Sequence, residues 1–340
     1  MNLAPIVLFV YARPWHTEQT LKALEQNTLA KDSILYIYAD GAKENATEEQ
    51  LEKIQQVRQL IRQKWNFKEI HIIERAKNYG LADNIIDGVT EIVNKYGKII
   101  VLEDDIVTSV GFLKYMNDAL NLYQHEEKVM HISGYMFPIG LSKRNIQKNK
   151  SQTFFYNQAS CWGWGTWAEA WKKFNGDCSF LMKELERHNK INYFNIDGSY
   201  PFLDHLKLNI EGKVKMWSIK WHASIILNNG FCLHPIQSLT KNIGFDGSRE
   251  HCGKSNIYSN NEIASEICVS WQEIKENSFF RKKMRQLYLK QQKTNLTNKV
   301  KKFFFNLLRK IVPEKIKHFY RLKKYPTIKK ITKNNRKFKY

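Results

Sequence analysis

Lys98-Ile99-Ile100-Val101-Leu102-Glu103-Asp104-Asp105-Ile106-Val107 is the stretch on which the fold turns. A short run of Ile, Val and Leu that stops at three consecutive carboxylates reads as a buried strand whose C-terminal end delivers acid groups to a sheet edge. Open α/β sheets bind their ligands at that edge. Three adjacent carboxylates repel one another, so their grouping costs stability unless a cation neutralises them, and a hard divalent ion suits oxygen donors. A solvated acidic turn after a strand is the alternative reading of the same residues.

Working back toward the N-terminus, apolar runs and amphipathic periods alternate. Residues 5–11, 34–39 and 69–74 read as strands, and 17–27, 48–64 and 81–96 as helices; in the second of these Leu51, Ile54, Val57, Leu60 and Ile61 fall at helical spacing. Strand and helix in alternation predict a parallel sheet with right-handed crossovers, a nucleotide-binding type of α/β layer over roughly 1–105. Parallel strands end on one rim, so Arg13, Asp40 and Asp105 are expected to converge there. An arginine, a lone Asp and an acidic cluster suit a nucleoside diphosphate and its metal.

Beyond Asp105 the pattern changes. Residues 130–135 read as a strand and 142–152 as a polar loop, followed by Cys161-Trp162-Gly163-Trp164-Gly165-Thr166-Trp167-Ala168-Glu169-Ala170-Trp171. Glycine between tryptophans lets the backbone approach a ligand while indole faces stack on the C–H faces of a sugar, so Trp162 to Gly165 is assigned to a site. Trp167 and Trp171, four apart, are assigned to the buried face of a helix. A later segment, Asn242 to Cys252, bears glycine, Ser and Arg and reads as a lid over phosphates.

Charge is divided along the chain. The formal excess of +21 lies in residues 281–340, which hold 22 Lys+Arg and one acidic residue, Glu314; the first 280 residues balance 32 basic against 32 acidic groups. That asymmetry argues against a nucleic-acid-binding fold as such and for a basic appendage that meets an anionic surface. Five cysteines without a CxxC pair fit a reducing compartment. The apolar run from Ile6 to Val10 is too short for a signal peptide, and nothing approaches ~18 consecutive apolar residues. The expected location is cytoplasmic, peripheral at the inner face of the cell membrane.

Glu103-Asp104-Asp105 after a hydrophobic strand resembles the DXD-type motif of GT-A glycosyltransferases, and Asn78-Tyr79-Gly80-Leu81-Ala82-Asp83-Asn84 resembles the N-x-G-x-x-x-N segment of family-2-like bacterial sugar transferases. The order of acidic strand end, Gly/Trp-rich turn, WxxxW and glycine loop is also similar to N-acetylglucosaminyltransferase I, an inverting, manganese-dependent enzyme. The resemblance covers roughly residues 5–255. It implies a GT-A fold, an α/β domain over 1–270 with a mainly parallel central sheet (1–105 for the nucleotide, 106–270 for donor sugar and acceptor) and a basic helical extension over 271–340. It further implies nucleotide or donor contacts from Arg13, Asp40, Asn78, Asn84, Asp104, Trp162, Gly163, Trp164, Gly247 and Ser248, and a Mn2+ or Mg2+ ion on Asp105 with Glu103. Where the inverting relative has its catalytic Asp, this chain has Trp217-Ser218, and Ser is no base at neutral pH without activation. Asp246, Glu211 and Asp204 remain as candidate bases.

The expected activity is transfer of a sugar from a nucleotide-sugar donor to a hydroxyl of a glycan or lipid-linked acceptor in surface polysaccharide or lipopolysaccharide assembly. A sugar-phosphate nucleotidyltransferase is the rival within the same layout, but Ala12-Arg13-Pro14 is no glycine-rich phosphate loop; a non-catalytic polyanion-binding protein is the rival from another class. In the tail, Val300, Phe303, Phe304, Leu307, Leu308 and Ile311 form one apolar helical stripe among Lys299, Lys301, Lys302, Arg309 and Lys310. Such a basic amphipathic helix, 299–312, is expected at an anionic membrane surface, or docked on a protein surface with its basic face in water.

Overall fold

The computed structural model describes residues 2–141, 151–246 and 262–311, the last seventeen of these as backbone. Ten strands and ten helices are assigned among them. In the first half, β1 (Ile6–Val10), β2 (Ile34–Ala39), β3 (Glu69–Glu74) and β4 (Lys98–Glu103) alternate with α1 (Pro14–Glu25), α2 (Glu48–Ile61) and α3 (Leu81–Tyr96). The sheet forms because β1, β2 and β4 are apolar on both faces and can only be covered by helices on both sides. Local signals set the helix ends: Pro14 opens α1, a Thr47–Gln50 capping box opens α2, and left-handed Gly97 closes α3 at φ +78° and turns the chain directly into β4.

The eight-stranded sheet runs β3-β2-β1-β4-β8-β6-β9-β7, where β6 is Val129–Ser133, β7 Thr153–Tyr156, β8 Trp164–Trp167 and β9 Phe231–Pro235. Pairing is parallel from β3 through β4 and between β6 and β9; β8 runs antiparallel between β4 and β6, as β7 does beside β9. The expected α/β class with a mainly parallel central sheet is thus what the chain adopts. A small antiparallel pair of β5 (Ile106–Thr108) and β10 (Thr240–Asn242) stands apart from it.

α4 (Phe112–Leu122) packs against β8 and β6, and α5 (Ala168–Trp171) follows β8 directly. Four further helices, α6 (Cys178–Arg187), α7 (Ile191–Phe194), α8 (Phe202–Ile210) and α9 (Trp217–Leu227), surround a satellite core that includes Leu181, Leu185, Phe194, Leu206 and Ile226. The first compact unit is Met1–Leu287, so the expected boundary at 270 falls inside it. The reason is Phe280, stacked on Phe154 with centroids 3.6 Å apart, together with Arg281, which pairs with Asp197 and Glu276. The second unit is Tyr288–Tyr340 and holds most of α10 (Ser278–Ile311). The backbone of the expected membrane helix is helical as far as Ile311; its side chains lie outside the described residues. Among the described residues no helix is long and apolar enough to cross a membrane.

Candidate functional site

β1 has β2 on one side and β4 on the other, so the chain order reverses between β1 and β4 and a crevice opens at their C-terminal ends. The register sets Phe9 opposite Glu103, which brings the turn after β1 beside the acidic run after β4. Arg13, the N-cap residue of α1, spans that gap. Its Nε donates to Asp104 Oδ2 at 3.2 Å, its Nη2 to Asp104 Oδ1, and its Nη1 to Asp105 Oδ2 at 3.0 Å. The Asp105 side chain has no exposed surface and that of Asp104 only 6%, against 21% for Arg13.

Burial works against the charge of Arg13, and the two carboxylates outweigh it, so its pKa is raised and the group stays a cation. Burial pushes the Asp104 carboxyl above its ordinary value; Arg13 pulls it back and Asp105 adds to the rise. The acidic backbone is also pinned, for Thr20 Oγ1 donates to the Asp104 carbonyl at 2.9 Å and Ile243 N to that of Asp105 at 2.9 Å.

The second contact follows from β5 and β10. Pairing Ile106 with Asn242 returns the chain over the acidic run, and the loop that follows carries Asp246 to α1. There Asp246 Oδ2 lies 3.2 Å from Nε2 of His16, a buried residue on the first turn of α1. Of the three candidate bases, Asp246 is therefore the one brought to the Arg13–Asp104–Asp105 rim. Asp204 and Glu211 lie in the satellite helical layer instead: Asp204, in α8, pairs with Lys207 at 3.4 Å, and Glu211, at its C-terminus, with Lys213 at 2.7 Å.

Asp40 sits on the same rim with its carboxylate already engaged. It accepts from the backbone N–H of Gly41, Tyr79 and Gly80 at 2.9, 2.8 and 3.0 Å and from Asn78 Nδ2 at 3.0 Å. Asn78 Nδ2 also donates to the Gly41 carbonyl at 2.8 Å. Asp40 and Asn78 thus staple the loops after β2 and β3 together, and Gly41 is required because a Cβ there would lie 2.4 Å from the Lys77 backbone. Asn84 is buried and accepts from Arg75 Nε at 3.1 Å, holding a guanidinium that also lies over the Tyr38 and Tyr79 rings. These residues shape the crevice from behind.

The tryptophan turn divides. Trp164, expected against a sugar, is in the core: it is 1% exposed, stacked on His131 at 5.3 Å and on Trp217 at 5.2 Å. Its ring is enclosed by other aromatic rings of the core, Trp171 among them. Gly163, at φ +79°, is closely packed, since a Cβ there would meet Thr240 Cγ2 at 2.8 Å. Trp162 is half-buried and touches the Tyr135, Phe137 and Phe245 rings, the last of them next to Asp246. Trp167 and Trp171 are buried, as expected. Gly247 and Ser248 lie outside the described residues.

Sequence reasoning missed His16. The signal available was its position three residues after Arg13 on the first turn of a helix opening at the rim, one turn apart on the same face.

The acidic residues offer hard oxygen donors of the kind Mn2+ and Mg2+ take. Among the described residues no group of three His, Cys, Asp or Glu gathers into a self-sufficient metal cage. The donor set therefore fits an ion held through one or two carboxylates and completed by ligand oxygens and water, and Arg13 stands against the carboxylate oxygens it would use.

No protein-family model matches the chain, and no curated protein matches it. Solved structures do. Over 41% of this chain and 23% of the other, it is similar to TarS from S. aureus at 12% identity and a TM-score of 0.29; for residues 1–349 of TarS the shares are 54% and 49%, the identity 12% and the TM-score 0.31. A protein from Desulfovibrio desulfuricans G20, assigned as a nucleotide-diphospho-sugar transferase, is similar over 52% of this chain and 69% of its own, at 14% identity and a TM-score of 0.31. The match spans about a quarter of the full TarS chain. Likenesses this weak carry no statement about activity, which has to come from the chain's own residues.

Proposed function

We propose that the chain is a GT-A-type glycosyltransferase that moves a sugar from a nucleotide-sugar donor to a hydroxyl of a glycan or lipid-linked acceptor, with inversion. The observation that carries this reading is the meeting of Arg13, Asp104, Asp105, His16 and Asp246 at the β1/β4 crevice, where cation, carboxylates and a separate half-exposed acid share one rim. A nucleoside diphosphate needs cationic and N–H partners there, and a guanidinium is a bidentate match for phosphate oxygens. The shaped wall of Asp40, Asn78 and Gly41 bounds the nucleotide's side of the crevice.

A divalent ion, Mn2+ or Mg2+, would be held through Asp105 with Glu103 and Asp104 beside it, and would supply Lewis-acid stabilisation to the departing diphosphate. Asp246 is the base in this reading. Its carboxylate is 47% exposed, so it can meet an acceptor hydroxyl, and His16 orients it from the buried side. Trp162, beside Phe245, offers an aromatic edge to the transferred sugar. The basic tail would bring this site to an anionic membrane surface and a lipid-linked acceptor, where each cation contributes ~1 kcal/mol.

The test is nucleoside diphosphate release by the purified full chain from a panel of nucleotide sugars with MnCl2. Release from at least one donor is expected, accelerated by a matching acceptor. No release from any donor, with no binding of any nucleotide by calorimetry, would overturn the assignment.

A further inference from the structure

Two roles compete for Arg13. The resemblance gives it to the donor nucleotide, and the fold gives three of its N–H groups to Asp104 and Asp105. We infer that it holds both in turn: Arg13 is the resident cation of the acidic pair, and the donor's diphosphate must draw its guanidinium away before a divalent ion can be held there. The chain then takes up ion and donor together and resists the ion alone. This inference rests on the transferase reading for its donor, and on the observed contacts for its gate.

The geometry says which partner is free to move. Asp104 and Asp105 are fixed from behind by Thr20 Oγ1 and Ile243 N on their carbonyls, and their side chains are buried. Arg13 has the most exposed side chain of the three and sits on the turn before α1, at the open mouth of the crevice. Its planar fork fits carboxylate and phosphate equally well, so exchanging one for the other keeps its hydrogen bonds and its charge compensated. An ammonium, a point charge without the fork, would not trade them as evenly.

Charge decides the order. Counting only the three groups in mutual contact, Arg13 with Asp104 and Asp105 carries a net charge of about −1 when both acids are ionised. A divalent ion alone would raise it to about +1 and face the guanidinium at close range; a diphosphate of about −2 alone would lower it to about −3. Both together return the site to about −1. Each ligand therefore relieves the penalty of the other, and by linkage the coupling is reciprocal. Removing Arg13 removes the reason for it: two bare carboxylates and one divalent ion sum to zero, and the ion should bind unaided.

The experiment measures Mn2+ binding by the EPR signal of the free ion, with no substrate turnover involved. Wild type should bind Mn2+ alone weakly, Arg13→Met at least about 10-fold more tightly, and Arg13→Met with Asp105→Asn weakly again. Arg13→Lys, which keeps the charge, should stay near wild type. If Arg13→Met fails to fold, judged by its thermal transition, Arg13→Gln replaces it. Equal Mn2+ affinity in wild type and the neutral variant overturns the gate.

The second arm adds UDP, GDP, dTDP or ADP, corrected for Mn2+ complexed in solution. In wild type one nucleotide should tighten Mn2+ binding about 10-fold or more, and in Arg13→Met distinctly less. If no nucleotide does so, the exchange is overturned together with the transferase reading, while the first arm still judges Arg13 as the resident cation. Coupling of equal size in both proteins overturns the part assigned to Arg13 alone.

Discussion

The protein buries polar groups in two contrasting ways. At the rim, the Arg13 guanidinium is set directly against the carboxyl groups of Asp104 and Asp105, cation facing acid. In the second half of the chain, His131 and His234 on the sheet and His222 on α9 are buried and uncharged: burial pushes their pKa values down to about 3, 4 and 4 for His131, His222 and His234, with His234 and His222 also disfavouring the charged form of His131. His131 accepts from Trp221 Nε1 at its Nδ1, 3.2 Å, which leaves its Nε2–H to donate to the Ser160 carbonyl at 3.1 Å. The His234 Nε2 meets the Gln158 carbonyl at 2.9 Å. Two neutral histidines thus hold the segment that leads into Trp162, and the third stacks on Phe194 at 5.0 Å.

The difference teaches where chemistry can sit. A compensated charge cluster at the mouth of a crevice can exchange one ion for another, as a charged ligand requires. A neutral hydrogen-bonded histidine frame offers nothing to an ion, but keeps its shape across physiological pH. One region should answer to ligands and the other to acid.

Acid gives the largest expected effect. The folded pKa values lie below the ordinary value of 6.5, so the stabilisation from keeping these histidines neutral is complete above pH 6.5 and is lost as pH falls toward 4. Each histidine loses up to about 1.4 kcal/mol per pH unit in that window, about 4 kcal/mol per pH unit for the three, so that two pH units suffice to match the whole stability of many domains. Urea midpoints measured from pH 7.5 to 4.5 should fall steeply below pH 6. A flat profile would break the contrast, by showing that these rings are not buried neutral.

Next comes the half-exposed acid at the rim. Asp246→Asn should lower sugar transfer about 10²- to 10⁴-fold, leave nucleotide affinity within a few-fold, and barely move the urea midpoint. A variant that loses stability but keeps turnover would place Asp246 with the structural groups instead. Asp40→Ala is smaller and of the opposite kind. It strips a carboxylate from three backbone N–H groups and Asn78, so a loss of about 2–3 kcal/mol is expected in urea unfolding, with weakened nucleotide binding following from the loosened wall.

Removing the basic tail should alter the behaviour of neither region. Truncation after residue 290 is expected to leave donor hydrolysis and the urea midpoint unchanged, while full-length protein floats with anionic vesicles at low salt and the truncated protein does not. A full-length protein that stays behind at low salt removes the membrane from the proposal and leaves the rim unaffected.

Much of the sheet was legible before any tertiary information. The strands at 34–39 and 69–74 match β2 and β3 to the residue, because each is a run of β-branched and aromatic residues between polar breakers. The first helix begins three residues before the expected 17, since Pro14 at its first position carries no apolar periodicity to announce it. Trp164 was misplaced because the sequence shows an aromatic beside glycine, and the same pattern serves a sugar platform and a central strand.

The sequence alone determined that β4 ends in carboxylates, that the first half is a parallel α/β layer, and that the net positive charge lies in the tail. Those are properties of contiguous residues, written in period, composition and charge. Only the tertiary structure decided that Arg13 faces Asp104 across 91 positions, that Asp246 rather than Glu211 or Asp204 reaches His16, and that three histidines lie neutral in the interior. The physical reason is that a side chain's charge state and partner are set by what the folded chain places within about 4 Å of it and by how much water it excludes, and neither distance nor burial has a period in the sequence.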